Sequence, residues 1–393
     1  MKSISRGKAL QLIVIAQFLG TSVWFAGNAA IPQFEVILET EKLTSTLTSL
    51  VQLGFITGTL VFAVLSFPDR FSPSKVFLVS SILASLANVL PVIVEPSSVL
   101  LYLSRYSVGF FLAGIYPVGM KIASDYFKEG LGVALGLLVG ALVLGTAFPY
   151  LIAGLELEFS WKFIFITTSI LSVSGGMIVG FLVPDGPHRK PMPNFDLRLI
   201  PKLFQIISLR KAAFGYFGHM WELYTFWAFC PLLVAFFNAN SVSKVSPELL
   251  TFIVISCGGL SCAVGGYFAK RTNSRFVASL ALIGSGLCCL LVLVVPVSVP
   301  IIWISLLLFW GVSVTADSPQ LSTLVAQSVP AEYKGTALTI VNSVGFGITV
   351  LSLKFIENQI ENFGIISALG LLFLGPLIGL VSLNYGTKKR GSR

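Results

Sequence analysis

The residues best suited to chemistry in this sequence lie in apolar surroundings. GHMWELYTFWAFC (218–230) sits inside a long apolar run, yet it carries His219 and Glu222 one helical turn apart. Arg105, in LYLSRYSVGFFLAG, and Asp317, in TADSPQ, are similarly isolated. An ionisable group deep in hydrocarbon costs about 2.5–3.5 kcal/mol or more, so such groups face a wet cavity or a partner and mark function by default. Glu222 is a proton-carrying candidate, and His219 could share that proton, bond a solute or bias the carboxylate. The competing reading is a structural hydrogen bond that locks the helix to a neighbour. Arg105 presents a planar fork of donors suited to carboxylate or phosphate-like oxygens. It could equally clamp carbonyls or Gln17 of another helix. Asp317 reads as a gating or helix-end residue rather than a solute ligand.

These groups must be positioned by membrane-spanning helices. The chain has 393 residues, of which 55% are hydrophobic and only 11% charged, and its mean hydropathy is +0.89. Soluble domains carry about a quarter charged residues. Apolar windows of about 20 residues, the length that crosses a bilayer, recur from end to end. We read an all-α membrane protein with twelve transmembrane helices, at roughly 9–31, 46–67, 75–95, 99–121, 131–154, 161–183, 212–237, 248–269, 276–296, 299–328, 335–355 and 363–385. At 1.5 Å per residue, Glu222 lies about 13–15 Å into the seventh, near the midplane, and Arg105 about 9 Å in from the outer surface.

The net charge of +9 is a topology signal rather than a nucleic-acid footprint. Lys and Arg concentrate at the N-terminus, after spans two and eight, in the central connection and at the C-terminus, which places both termini in the cytoplasm of a bacterial inner membrane. No cleavable signal peptide is expected. The five cysteines fall inside predicted spans as packing residues, without CxxC spacing. No GxxxxGK[ST], HExxH or GxSxG sequence occurs, so neither direct ATP drive nor an embedded enzyme is supported, and no cofactor or metal is expected.

The longest polar connection, 184–211, divides the spans into an N-terminal bundle (1–183) and a C-terminal bundle (212–393), each of six helices. Within it, LRLIPKLFQII could form an amphipathic helix on the membrane surface. The halves echo each other. Asp69-Arg70 matches Lys270-Arg271, Tyr116-Pro117 matches Ser318-Pro319, and the Gly132 and Gly335 tetrapeptides match, all 201 to 203 positions apart. Parallel repeats of this kind place a binding site between the halves near mid-membrane, and rocking alternates access to it.

Over essentially its whole length the chain resembles the major facilitator superfamily. FPDRFSPSK (67–75) resembles that family's loop between spans two and three, with Leu65 and Ser72 where glycines are usual. GGYFAKRTNSR (265–275) resembles its repeat, LYLSRYSVGFFLAG the span-four motif, and WKFIF (161–165) the start of span six. TSVWFAGNAAIP, AGIYPVGMK, HMWELYTFWAF and TADSPQ look like a bacterial branch near the cyanate and nitrate-type permeases. Span five lacks the clean Gly-Pro-x-x-Gly-Gly of many proton-driven exporters.

The resemblance implies that spans one, four, seven and ten line the cavity, and helical spacing agrees. Gln17, Thr21, Trp24 and Asn28 share one face, as do Arg105, Gly109, Leu112 and Tyr116, and His219, Glu222, Phe226 and Phe229. Trp303, Trp310 and Asp317 follow in span ten. Glu222 and His219 are the candidates for proton coupling. Arg105, Gln17, Trp24, Asn28, Tyr116, Tyr224 and Trp310 are the candidates for solute binding, although aromatics at helical spacing also pack. Asp69, Arg70, Lys270 and Arg271 are implied gating residues, as is Asp317, and their alternative role is topology alone. The expected function is a monomeric, proton-coupled secondary transporter of a small polar or anionic solute, with export of a metabolite or drug as the alternative. A channel fits the two-fold repeat less well.

Overall fold

A computed structural model describes residues 4–127, 131–155, 160–189 and 197–385. Lys2, Lys128, Lys190, Lys388, Lys389, Arg390 and Arg393, basic residues that the charge argument counted, lie outside them, as does part of the 184–211 connection. Among the described residues all regular structure is helical. In hydrocarbon, a helix satisfies its own backbone groups within one segment.

The first half of the chain forms α1 (Arg6–Thr21), α2 (Ala26–Ala29), α3 (Ile31–Ile37), α4 (Leu43–Val64), α5 (Phe67–Arg70), α6 (Pro73–Ile93), α7 (Ser98–Leu112), α8 (Tyr116–Tyr126), α9 (Leu131–Gly154) and α10 (Trp161–Leu182). The second forms α11 (Ile200–Leu203), α12 (Ile207–Asn240), α13 (Pro247–Arg271), α14 (Ser274–Leu291), α15 (Pro300–Ala316), α16 (Ser318–Gln327), α17 (Lys334–Gly370) and α18 (Leu374–Asn384). Several starts are written locally. The side chains of Ser97, Ser160, Ser246 and Asn273 each accept from a free N–H in the first turn of the helix that follows.

Three predicted spans are broken. α1 stops at Thr21 and the chain resumes in α2; α7 yields to α8 through Ala113, Gly114 and Ile115; α15 yields to α16 at Asp317. Pro117 and Pro319 stand in the first turn after the last two breaks, where their missing N–H costs nothing. Among the described residues, ten helices are long and apolar enough to cross a membrane. That count omits the interrupted α1 and takes Lys334–Asn384 as one stretch. Gly364 interrupts that stretch at φ 78°, a left-handed conformation that glycine adopts without a Cβ penalty.

The expected amphipathic surface helix in the central connection is a correction. The segment is a 3₁₀ turn at Leu197–Leu199 followed by the single turn α11, capped by Phe204, and Leu203 is buried beside α17. Four residues cannot present a stripe, and the buried leucine ties the turn to protein.

α4 packs on α7, α6 on α10, and α1 on α9 and α10, while α12 packs on α17 and α18 and α13 on α15. Two seams join these groups, α9 against α13 and α4 against α17. The close crossings recur in both halves. A Cβ on Gly109 of α7 would lie 2.0 Å from the Val51 carbonyl oxygen of α4, and one on Gly311 of α15 would lie 2.1 Å from that of Val254 on α13. Small residues let such backbones touch. Large apolar side chains of α6, α10, α14 and α18 face outward, for example Leu86, Ile170, Leu280 and Val381.

Candidate functional site

Between α8, α9, α12, α16 and α17 lies a cavity of about 20 Å³. Its wall includes Tyr116, Tyr216, Met220, Tyr224, Trp227, Ser318 and Phe346, and no lining residue is charged. On α12 the wall is the stripe Tyr216, Met220, Leu223 and Trp227, one residue away from the expected stripe of His219, Glu222, Phe226 and Phe229. Trp24, in the α1–α2 link, packs behind two of these wall residues. Its ring stacks on Tyr224 (5.8 Å between centroids) and on Phe346 (6.2 Å).

The two ends of the bundle differ. On the face opposite the chain ends, Glu357 of α17 accepts from the Ser45 hydroxyl (2.6 Å) and from the Ser45 backbone N–H at the start of α4, with Lys354 Nζ 2.9 Å away. Lys42 and Glu361 pair nearby at 2.9 Å. This end of the α4–α17 seam is sealed. On the face carrying the chain ends the same seam parts around a vestibule of about 150 Å³, lined by Thr59, Asp69, Pro117, Lys121, Thr336 and Thr339 among others. Adjacent residues Tyr116 and Pro117 thus line the cavity and the vestibule respectively.

Charged groups lie one layer behind the wall. His219 Nδ1 is 2.8 Å from Asp317 Oδ1, and both side chains are buried. The pair joins α12 to the break in span ten, with Tyr216 beside the imidazole and Ser318 next in the chain; both of these line the cavity. Of the three roles that spacing offered His219, sharing a proton with Glu222 has no contact behind it, since the imidazole turns to Asp317. The Glu222 carboxylate instead accepts from Trp310 Nε1 (2.6 Å), the Ser285 hydroxyl (2.8 Å) and the Cys289 thiol (3.3 Å), between α12, α14 and α15. The expectation that Glu222 faces the cavity is also corrected: it is enclosed by protein donors. Trp310 leaves the wall with it, stacked on Phe226 at 4.4 Å.

Arg105 is buried within the first half, away from the cavity wall. Its Nη2 donates to Asn88 Oδ1 (2.7 Å) and Ser104 Oγ (3.0 Å), and its guanidinium lies over the Phe165 ring at 4.7 Å. Gln17 is buried against α8, where a Cβ on Gly119 would meet its Oε1 at 2.2 Å. Asn28 donates to the Thr48 hydroxyl of α4 (2.7 Å). Of the expected gating residues, Asp69 pairs with Lys121 at 2.9 Å across the vestibule. Arg70 and Lys270 are exposed, and Arg271 donates to the Tyr267 hydroxyl. Among the described residues no cluster of His, Cys, Asp and Glu is placed to hold a metal, and the five cysteines are free.

The sequence profile of the Major Facilitator Superfamily matches residues 13–353. The chain belongs to the major facilitator superfamily. It is accordingly an integral, multi-pass membrane transporter and not an enzyme. The human organic anion transporter MFSD10 (TETRAN) has a similar structure, with a TM-score of 0.72 at 14% identity, covering 95% of this chain and 99% of that one. No curated protein sequence matches it.

Several residues at this superfamily member's site escaped the sequence reading. Tyr216 and Trp227 gave no signal beyond being aromatic on a helix with apolar residues all round. Glu357 and Ser45 are polar residues near predicted span ends, where polarity is unremarkable. Arg189 could have been suspected from the basic connection. Its guanidinium holds the loop after α5 by donating to the Asp69 and Phe71 carbonyls, and it pairs with Asp185.

Proposed function

We propose that this superfamily member is a monomeric proton-coupled secondary transporter of a small solute, working by alternating access in a bacterial inner membrane. We read twelve spans in two six-helix bundles, 1–183 and 212–393, joined by a cytoplasmic connection at 184–211. Solute occupies the cavity between them. The vestibule then faces the cytoplasm, where the basic segments sit, and the Glu357–Ser45 seal faces outside. Gln17, Trp24, Asn28, Tyr116 and Tyr224 surround the solute path. Asp69, Arg70, Lys270 and Arg271 act with Lys121 at the cytoplasmic end.

One observation carries the coupling: the buried His219–Asp317 pair sits at the break of span ten, directly behind two wall residues. Loading or removing its proton changes the attraction between α12 and the break, which moves Tyr216 and Ser318 relative to each other. The other titratable groups near it are Tyr216 and the Cys262 thiol, which lies against the Thr315 carbonyl. Glu222 is a turn away and engaged by its own donors, and it is the second candidate for the proton. Arg105 remains the candidate for an anionic group, reached only if α2 moves off it. Uptake with protons is the leading direction. Export of a small metabolite or drug is the second reading, and the uncharged aromatic wall supports it. The name of the human relative gives organic anions as that protein's cargo, and at 14% identity the likeness carries only the fold.

The test uses the full chain in vesicles with a trapped pH indicator and a metabolite library. A solute that moves protons in the wild type should move none in Asp317→Asn or His219→Gln, while counterflow of the same solute persists. Concentrative, proton-linked transport surviving in both variants would discard this coupling site, and single-channel currents would discard the carrier.

A further inference from the structure

The central cavity and the ionisable groups around it differ in chemistry, and the wall itself points to a class of solute. We propose that the cavity recognises an uncharged, planar aromatic or heteroaromatic solute that presents hydrogen-bond acceptors. This rests on the transport reading above and narrows it.

The first argument concerns charge. A charged solute leaving water needs a compensating partner. The wall supplies none: His219 and Asp317 face each other, Glu222 is held by Trp310, Ser285 and Cys289, and Arg105 is turned to Asn88 and Ser104 beneath Phe165. Lys121 is spent on Asp69 in the vestibule. A neutral solute needs no such partner.

The second argument concerns flat faces. Trp24 stacks on Tyr224 at 20° between planes and on Phe346 at 26°, and Phe25 meets Trp227 edge-on. α2 and the link before it belong to the first half; α12 and α17 belong to the second. These ring contacts cross the interface, so they part whenever the halves part. A planar solute can replace them with equivalent stacking, which offsets the cost of opening. The room of about 20 Å³ in the closed arrangement means that the solute is admitted as the rings separate.

The third argument concerns donors. Trp24 and Trp227 are fully buried, and neither indole N–H has an acceptor on the protein. Buried donors are ordinarily bonded. Trp227 lines the cavity and Trp24 stacks on two rings that line it, so two unpartnered N–H groups at this aromatic cluster call for an acceptor from the solute, and the phenols of Tyr116, Tyr216 and Tyr224 add further donors beside them.

The experiment uses the purified full-length protein and two probes. Coumarin is planar and uncharged with acceptor oxygens, whereas succinate is a small non-aromatic dianion. Coumarin should quench indole fluorescence saturably and raise the melting temperature, and succinate should do neither. Trp227→Phe and Trp24→Phe keep a ring and remove the N–H. Each should weaken coumarin about fivefold, the size of one lost hydrogen bond, while the unliganded melting temperature shows that the variant is folded. Absence of saturable coumarin binding, coumarin binding unchanged in both variants, or tighter binding of succinate overturns the proposal. Counterflow of an anion in vesicles, without coumarin binding, sinks this inference and spares the carrier. Coumarin binding in a protein that passes single-channel currents sinks the carrier and spares the site.

Discussion

Spans four and ten break at equivalent places, two to four residues before a proline, but the two breaks are built differently. In span four the turn is Ala113, Gly114 and Ile115, without a charge. Gly114 is wedged so tightly that a Cβ would lie 2.0 Å from the Ser80 hydroxyl and 2.7 Å from the Phe62 ring. In span ten the break is Asp317 alone, held 2.8 Å from His219. One hinge is set by steric fit and the other by an ionisable pair. Under the coupling proposed above, proton binding would act at the break that carries Asp317, while the break at Gly114 offers no group to titrate.

The largest effect should come from removing that ionisable pair. Asp317→Asn should cut pH-driven accumulation at least tenfold, leaving a rate that no longer follows an imposed pH gradient. Retention of gradient sensitivity would erase the distinction between the hinges. Gly114→Val tests the steric hinge. It should lower stability by about 1–3 kcal/mol, as overpacked sites do, equally at pH 6 and pH 8 in a thermal melt. A loss that depends on pH would show that the first hinge is coupled to ionisation too. Glu222→Gln should cost about 1–2 kcal/mol in the same melt, since a neutral amide meets the donors of Trp310 and Ser285 less well. It should spare pH-driven accumulation, and loss of accumulation with the fold intact would transfer the proton from Asp317 to Glu222. The smallest change should follow Lys42→Ser. Its pair with Glu361 is 53% and 42% exposed, so solvent screening leaves no resolvable shift in the melt. A measurable loss would make the outer seal depend on that pair as well as on Glu357.

The fold was largely legible because hydrocarbon imposes long apolar helices, and because Asp69-Arg70, Tyr116-Pro117 and Gly132 repeat in the second half. The proline positions also marked two of the three broken spans. The break after Thr21 had no such marker: TSVWFAG contains no proline, and its helix ends where Trp24 and Phe25 turn toward aromatic partners on α12. The candidate site was legible by residue type and not by direction. His219, Glu222, Arg105, Asp317, Trp24, Tyr116 and Tyr224 are all buried or line the cavity, yet their pairings were not those that spacing suggested. On α12, 72% of the apolar window is enclosed by protein, so the helix has no polar face against which to orient the rest.

From the residue order alone it follows that this chain crosses a membrane many times, that short matched segments recur about 200 positions apart, and that a few costly ionisable residues are kept among apolar ones. Each of these follows from transfer free energy, which depends on what a residue is. Contacts between helices were needed to show that Asp317 takes His219, that Trp310 takes Glu222, and that neutral rings rather than charges face the cavity. Those choices depend on which atoms lie within about 3 Å of one another, and in a helix surrounded on every side no periodicity encodes that.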